Sequence, residues 1–210
     1  MIGHMYFPLL LQPTTLLSLL LVMAVHSCSL SRSQNCGNSL QQSLKLTRLI
    51  KKESVELIRT YKESQGAIFC KSSSSEVPQP NISGLEPSER LLSVSSILQS
   101  FLPHLQRVLE QQTDLQSPLS KLLKELRNVR NRSTTLASVI SCLYQNLFPN
   151  LPAPEPAGCT TQLPPPQNIF QQKVYGCVVL RRFKEFLLNV AQELRTMKSR
   201  VSSRPLANTF

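Results

Sequence analysis

The sequence has no tryptophan, only six glycines and only three histidines among its 210 residues. Two of the histidines, His4 and His26, fall in the first 27 residues, a stretch that also lacks Lys, Arg, Asp and Glu. Beyond it His104 is the sole histidine, and Asp114 is the sole aspartate of the whole chain. A Ser-His-Asp relay would need both, and they stand on and just after a single helical stretch. A histidine-rich zinc site cannot be assembled. The scarce glycines form no phosphate-cradling loop. Glu53 and Glu56, on what reads as the solvated face of a helix, make no glycosidase-like pair. His104, beside Pro103, reads as a partly exposed structural residue. No enzyme activity, cofactor or metal is therefore expected. With no tryptophan and no aromatics interleaved among basic residues, nucleic acid is not an expected partner either.

What is present begins with a leader. Leu9 to Val25 form an apolar run broken by Gln12, Pro13, Thr14, Thr15 and Ser18. It is too short and too broken for a membrane span and suits a secretory signal peptide, residues 1–27. Cleavage before Cys28 keeps six cysteines, whereas a later cut strands an odd thiol in an oxidising compartment. No other segment could cross a membrane, so the expectation is a secreted, extracellular, monomeric protein that does not insert into membranes. Two acceptor triplets for N-linked glycans, Asn81-Ile-Ser and Asn131-Arg-Ser, suit that route, and Asn81 in a polar loop is the better acceptor.

All 23 basic and 12 acidic residues lie outside the leader, so the mature chain keeps the formal charge of +11. These charges look spread along helical faces, with a modest cluster at Lys198, Arg200 and Arg204. That pattern reads as solubility with a weak affinity for heparan sulfate.

Four segments place apolar residues at helical spacing, and no strand pattern appears. Helix A spans 38–64, with Leu40, Leu44, Ile50, Leu57, Ile58 and Tyr61 on one face, and Gln65-Gly66 ends it. Helix B spans 88–112 from Ser88 as N-cap, and Pro103 inside it predicts a kink or break. Helix C spans 117–148, with Ser117 as N-cap, Pro118 at the first helical position and Leu119 starting its apolar set. Helix D spans 168–200, capped by Asn168, with Leu180, Phe183, Leu187, Val190, Ala191 and Leu194 in one stripe. Residues 28–200 form the helical domain and 201–210 a flexible tail.

Connector lengths then constrain topology. A helix of about 25 residues is about 38 Å long. The loops before B and D, each of about twenty residues, can travel back along that length, and the short B–C connector cannot. The fold class is all-α: a long-chain four-helix bundle, up-up-down-down, with two long crossover loops and three disulfides. An up-down bundle with overlong loops is the alternative. In the up-up-down-down arrangement Cys36 reaches Cys142, Cys70 reaches Cys177, and Cys28 is left for Cys159.

Phe170 lies across helix D from its buried stripe. Phe170-Gln-Gln-Lys173, followed by Gly176-Cys177 and Phe183, resembles the start of the last helix in the leukaemia inhibitory factor and oncostatin M branch of the interleukin-6-type cytokines. Tyr61 to Gly66, with Cys70 following, is similar to the end of their first helix. The resemblance implies a secreted cytokine whose receptor complex contains glycoprotein 130 and a leukaemia inhibitory factor receptor or oncostatin M receptor type chain, and which triggers JAK/STAT signalling. It implies that Phe170 is an aromatic anchor and Lys173 its polar companion; the alternative is that Phe170 staples its own loop. It also implies a second receptor face on helices A and C. Exposed positions there are expected to be Gln42, Lys45, Leu49 and Lys52, with Asn128, Arg132, Thr135 and Val139. Two other classes are a growth-hormone or prolactin-like hormone, which should lack the Phe-x-x-Lys-x-x-Gly-Cys pattern, and a basic saposin-like lipid-binding or defence protein, which wants closer cysteines.

Overall fold

Among the described residues four long helices turn their buried stripes toward one another, the first opening just after Asn38. The computed structural model describes residues 38–71, 76–154, 163–165 and 167–202, with the side chains of 201 and 202 left out. The leader, Cys28, Cys36, Cys159 and residues 203–210 lie outside the described residues. The helices are α1 (Ser39–Gln65), α2 (Pro87–Leu115), α3 (Lys121–Leu147) and α4 (Ile169–Ser202), with a short 3-10 turn at Ala67–Lys71. Among the described residues there is no strand.

Local chemistry sets the ends. Gly66 stops α1 at φ 101°, a conformation that side chains disfavour, and its N–H donates to Lys62 O. The expected cap of α2, Ser88, is corrected to Glu86, which forms a capping box with Glu89 while Pro87 takes the first helical position. Gly84 permits that entry: a Cβ there would lie 2.6 Å from the Glu89 Cβ. Pro103 does not break α2, which continues to Leu115. Ser117 does not cap α3 either. Ser120 N donates to Ser117 O, so Pro118 and Leu119 form the centre of a tight turn, and Ser120 Oγ caps the helix by accepting from Leu123 N. Leu119 is consequently 96% exposed instead of joining the apolar set. Asn168 caps α4 as expected, accepting from Gln171 N while its own N–H donates to Gln171 Oε1.

The core gathers Ile50, Leu57 and Tyr61 of α1, Leu98 and Phe101 of α2, Leu126 and Ile140 of α3, and Phe183, Phe186 and Leu187 of α4. Phe101 meets Phe183 edge-on and Phe186 at a tilt, with centroids 5.4 and 5.5 Å away. Both α1 and α2 pack on α3 and on α4. Cross-helix bonds show which ends meet. Tyr61, late in α1, donates to Lys173 O at the start of α4, and Gln111, late in α2, reaches Gln167 just before α4. At the other end Asn146 of α3 meets Ser39 of α1, and Arg90 of α2 pairs with Glu193 of α4.

The first long loop is pinned along α4. Cys70 is bridged to Cys177, and Arg181, Arg182 and Asn189 donate to the carbonyls of Cys70, Val77 and Pro80 in turn. Cys142 is also disulfide-bonded, to a partner outside the described residues.

Candidate functional site

The first turn of α4 carries the site. Phe170 is 63% exposed and Ile169 beside it 58%. Phe170 nevertheless touches one ring: Phe69 of the 3-10 turn meets it edge-on, with centroids 5.4 Å apart. Lys173 Nζ lies 5.5 Å from the centre of the same Phe69 ring, within cation–π range. Phe69 therefore stands between the two residues singled out from the sequence. Ile68, 70% exposed, extends the apolar surface.

Each part is positioned from beneath. Tyr61 is fully buried, and its hydroxyl donates to the Lys173 carbonyl at 3.0 Å. Burial pushes the Tyr61 phenol well above its ordinary value, so it remains a neutral donor. The Tyr61 ring lies against Gly176, where a Cβ would come within 2.3 Å of the phenolic oxygen. The Gly-Cys pair thus has two jobs one residue apart: Gly176 admits the tyrosine of α1, and Cys177 ties the Phe69 segment to α4. An apolar knob with one cation beside it, on a braced helix end, has no nucleophile–base pair. It can dock into a pocket on another protein.

Phe69 and Ile68 escaped sequence reading because residues 65–87 read as loop by composition. The available signal was Ala67-Ile-Phe-Cys70, an apolar cluster immediately before a cysteine whose bridge leads to the start of α4.

The second expected face is only partly assembled. Gln42, Lys45, Leu49 and Lys52 are exposed on α1, as are Asn128 and Thr135 on α3. Val139 is a correction: it is buried, at 5% exposure. Eleven residues of helix turn through about 20° beyond whole turns, enough to carry the stripe from Asn128 onto the packed side. Arg132 is half-buried and pairs with Glu53 of α1. Glu53 is corrected likewise, being half-buried against α3, whereas Glu56 stays at the surface as expected. They lie at the α1–α3 seam, Glu56 holding Arg59 and Lys121, and those partners keep its carboxyl below the usual range. Asn131 is exposed on α3 between Asn128 and Thr135, and Asn81 is exposed in the loop before α2.

His104 is also corrected, being buried rather than partly exposed, with Nδ1 2.6 Å from the Tyr175 hydroxyl. Burial pushes its pKa down to about 4. Among the described residues no cluster of His, Cys, Asp or Glu could hold a metal ion, and no helix is long and apolar enough to cross a membrane.

Comparison with known proteins places these features in context. Residues 38–194 match the model of the LIF / OSM family. Human cardiotrophin-1 is 25% identical over 166 residues, covering 74% of this chain and 83% of that protein. Mouse cardiotrophin-2 is 26% identical over 207 residues, covering 93% and 98%.

Proposed function

Since the chain belongs to the LIF / OSM family of cytokines, we propose that it is a secreted ligand which brings two receptor chains together to start JAK/STAT signalling. It is a cytokine and not an enzyme. In this reading residues 1–27 are removed, Asn81 and Asn131 carry glycans, and the bundle runs up-up-down-down. The meeting of late α1 with early α4, and of late α3 with early α1, supports that topology. Cys36–Cys142 and Cys28–Cys159 complete the bridges beside Cys70–Cys177. The bonded state of Cys142, and its helix ending beside the start of α1, support the first of these.

Phe170 and Lys173 engage a leukaemia inhibitory factor receptor or oncostatin M receptor type chain, Phe170 entering a pocket and Lys173 orienting it. The observation that carries this is a phenylalanine left 63% exposed on a helix end braced by Tyr61, Gly176 and the Cys70–Cys177 bridge. Glycoprotein 130 takes the α1–α3 face, with Gln42, Lys45, Leu49 and Lys52 from α1 and Asn128, Arg132 and Thr135 from α3.

A pull-down of the two receptor ectodomains with wild type and Phe170→Ala tests the assignment. The reading expects wild type to retain both and Phe170→Ala to lose only the first. Retention of both by the variant would return Phe170 to the role of a loop staple.

A further inference from the structure

The fold collects cations that look dispersed in the sequence. On α1, Glu53 and Glu56 mark the side facing α3, through Arg132 and Lys121. Arg48, Lys51 and Val55 fall on the opposite shoulder of the buried stripe, which is the α4 side. On α4, the contacts of Tyr175 with His104 and of Glu193 with Arg90 mark the side facing α2. Its opposite shoulder carries Lys184, Leu188, Arg195 and Lys198. Tyr61 meets Lys173 and Gly176, so the two helices run antiparallel in a known register. Ten residues back from Tyr61 is Lys51, and Lys184, eleven residues after Lys173 and eight after Gly176, comes to much the same height. Arg48 comes level with Leu188, while Arg195 and Lys198 flank the first turns of α1.

We propose that the α1–α4 seam, through Arg48, Lys51, Lys184, Arg195 and Lys198, binds a sulfated glycosaminoglycan chain. Among the described residues none of these five cations pairs with a carboxylate. The first fourteen residues of α1, Ser39 to Lys52, contain no acidic residue at all. The two acids of α4 lie elsewhere: Glu193 is committed to Arg90, and Glu185 lies on the shoulder toward Arg182. At the α1–α3 seam, by contrast, Arg132 is paired with Glu53 and Lys121 with Glu56 and Glu125.

From Lys184 to Lys198 the row is about 21 Å long, which suits an extended polyanion better than a single small anion. A chain with a formal charge of +11 adds long-range attraction. Val55 and Leu188 are the exposed apolar residues of this seam. Two separated side chains are ordinary surface and do not make the continuous apolar stripe that a membrane-bound helix needs. The inference rests on the extracellular placement proposed above, but its test involves no receptor and so can fail or succeed independently.

The test compares two charge-matched variants of the full disulfide-bonded chain on immobilised heparin at physiological salt. Arg48→Gln, Lys184→Gln and Lys198→Gln together remove three charges from the seam. Lys71→Gln, Lys124→Gln and Arg127→Gln remove three exposed charges elsewhere. The seam variant should bind roughly tenfold more weakly or worse, and the control should stay within about twofold of wild type. Equal weakening would mean that net charge alone acts, and no weakening would mean that the seam is not used; either overturns the proposal. So would binding to phosphatidylserine vesicles without binding to heparin.

Discussion

The two candidate receptor surfaces are made in different ways. At the start of α4 the support comes from beneath: Phe170 lies against the half-buried Phe69, the Lys173 carbonyl accepts from the buried Tyr61, and the Phe69 turn is bridged to the buried Cys177. On the α1–α3 face the exposed residues stand on helix exteriors, tied across the seam by ion pairs such as Arg132–Glu53 and Lys121–Glu56. A buried tyrosine, an unsubstituted glycine and a disulfide permit one arrangement. Surface ion pairs between long side chains constrain their partners weakly. The first surface should therefore lose its shape when its support is altered, and the second should tolerate change.

The largest test of that contrast is the bridge. Replacing Cys70 and Cys177 with serine opens a link spanning 107 residues and should cost about 4 kcal/mol in denaturant unfolding. Binding of the receptor chain proposed to meet Phe170 should weaken with it, even where the chain remains folded. Unchanged stability would deny the bridge its bracing role.

Acid provides the next test. The buried His104 has its folded pKa lowered from 6.5 to about 4, so the unfolded chain takes up its proton first as pH falls. Its contribution is fully present above pH 6.5 and is lost as pH falls from there toward about 4, on the order of 3 kcal/mol. His104→Asn should flatten that part of the stability–pH curve, whatever its effect at neutral pH. A slope identical to wild type would show that other groups govern acid sensitivity.

Gly176→Ala should cost about 2–3 kcal/mol, because the new methyl occupies the place of the Tyr61 phenol. Thermal unfolding reads this, and a variant as stable as wild type would contradict the close approach. The smallest effect belongs to the lateral face. Glu53→Gln with Arg132→Gln should change stability by less than about 1 kcal/mol. A larger loss would show that this seam is more than a surface pair.

Legibility in the sequence followed the same division. The four helices could be read because their apolar stripes are long and periodic, and Phe170 could be read because it breaks one of them. Gly176 and Cys177 were visible as a pair, but their separate tasks appear only when Tyr61 comes across from α1. Phe69 was hidden because a five-residue turn has no periodicity to read. Ser117 and Ser120 are both acceptable caps. Ser120 is used because Pro118 suits the second position of a turn as well as the first position of a helix. Val139 and Glu53 were misassigned because a helical stripe shows which residues share a face, but not where a neighbouring helix begins to cover it.

The central claim is that the braced start of α4 is a receptor anchor. It is tested most directly by titrating a leukaemia inhibitory factor receptor type ectodomain with Phe170→Ala and, in parallel, with Leu49→Ala, after confirming that both unfold like wild type. The account predicts that Phe170→Ala loses about 2 kcal/mol or more, roughly thirtyfold in Kd, and that Leu49→Ala stays near wild type. A Phe170→Ala protein that binds this ectodomain as tightly as wild type would contradict it.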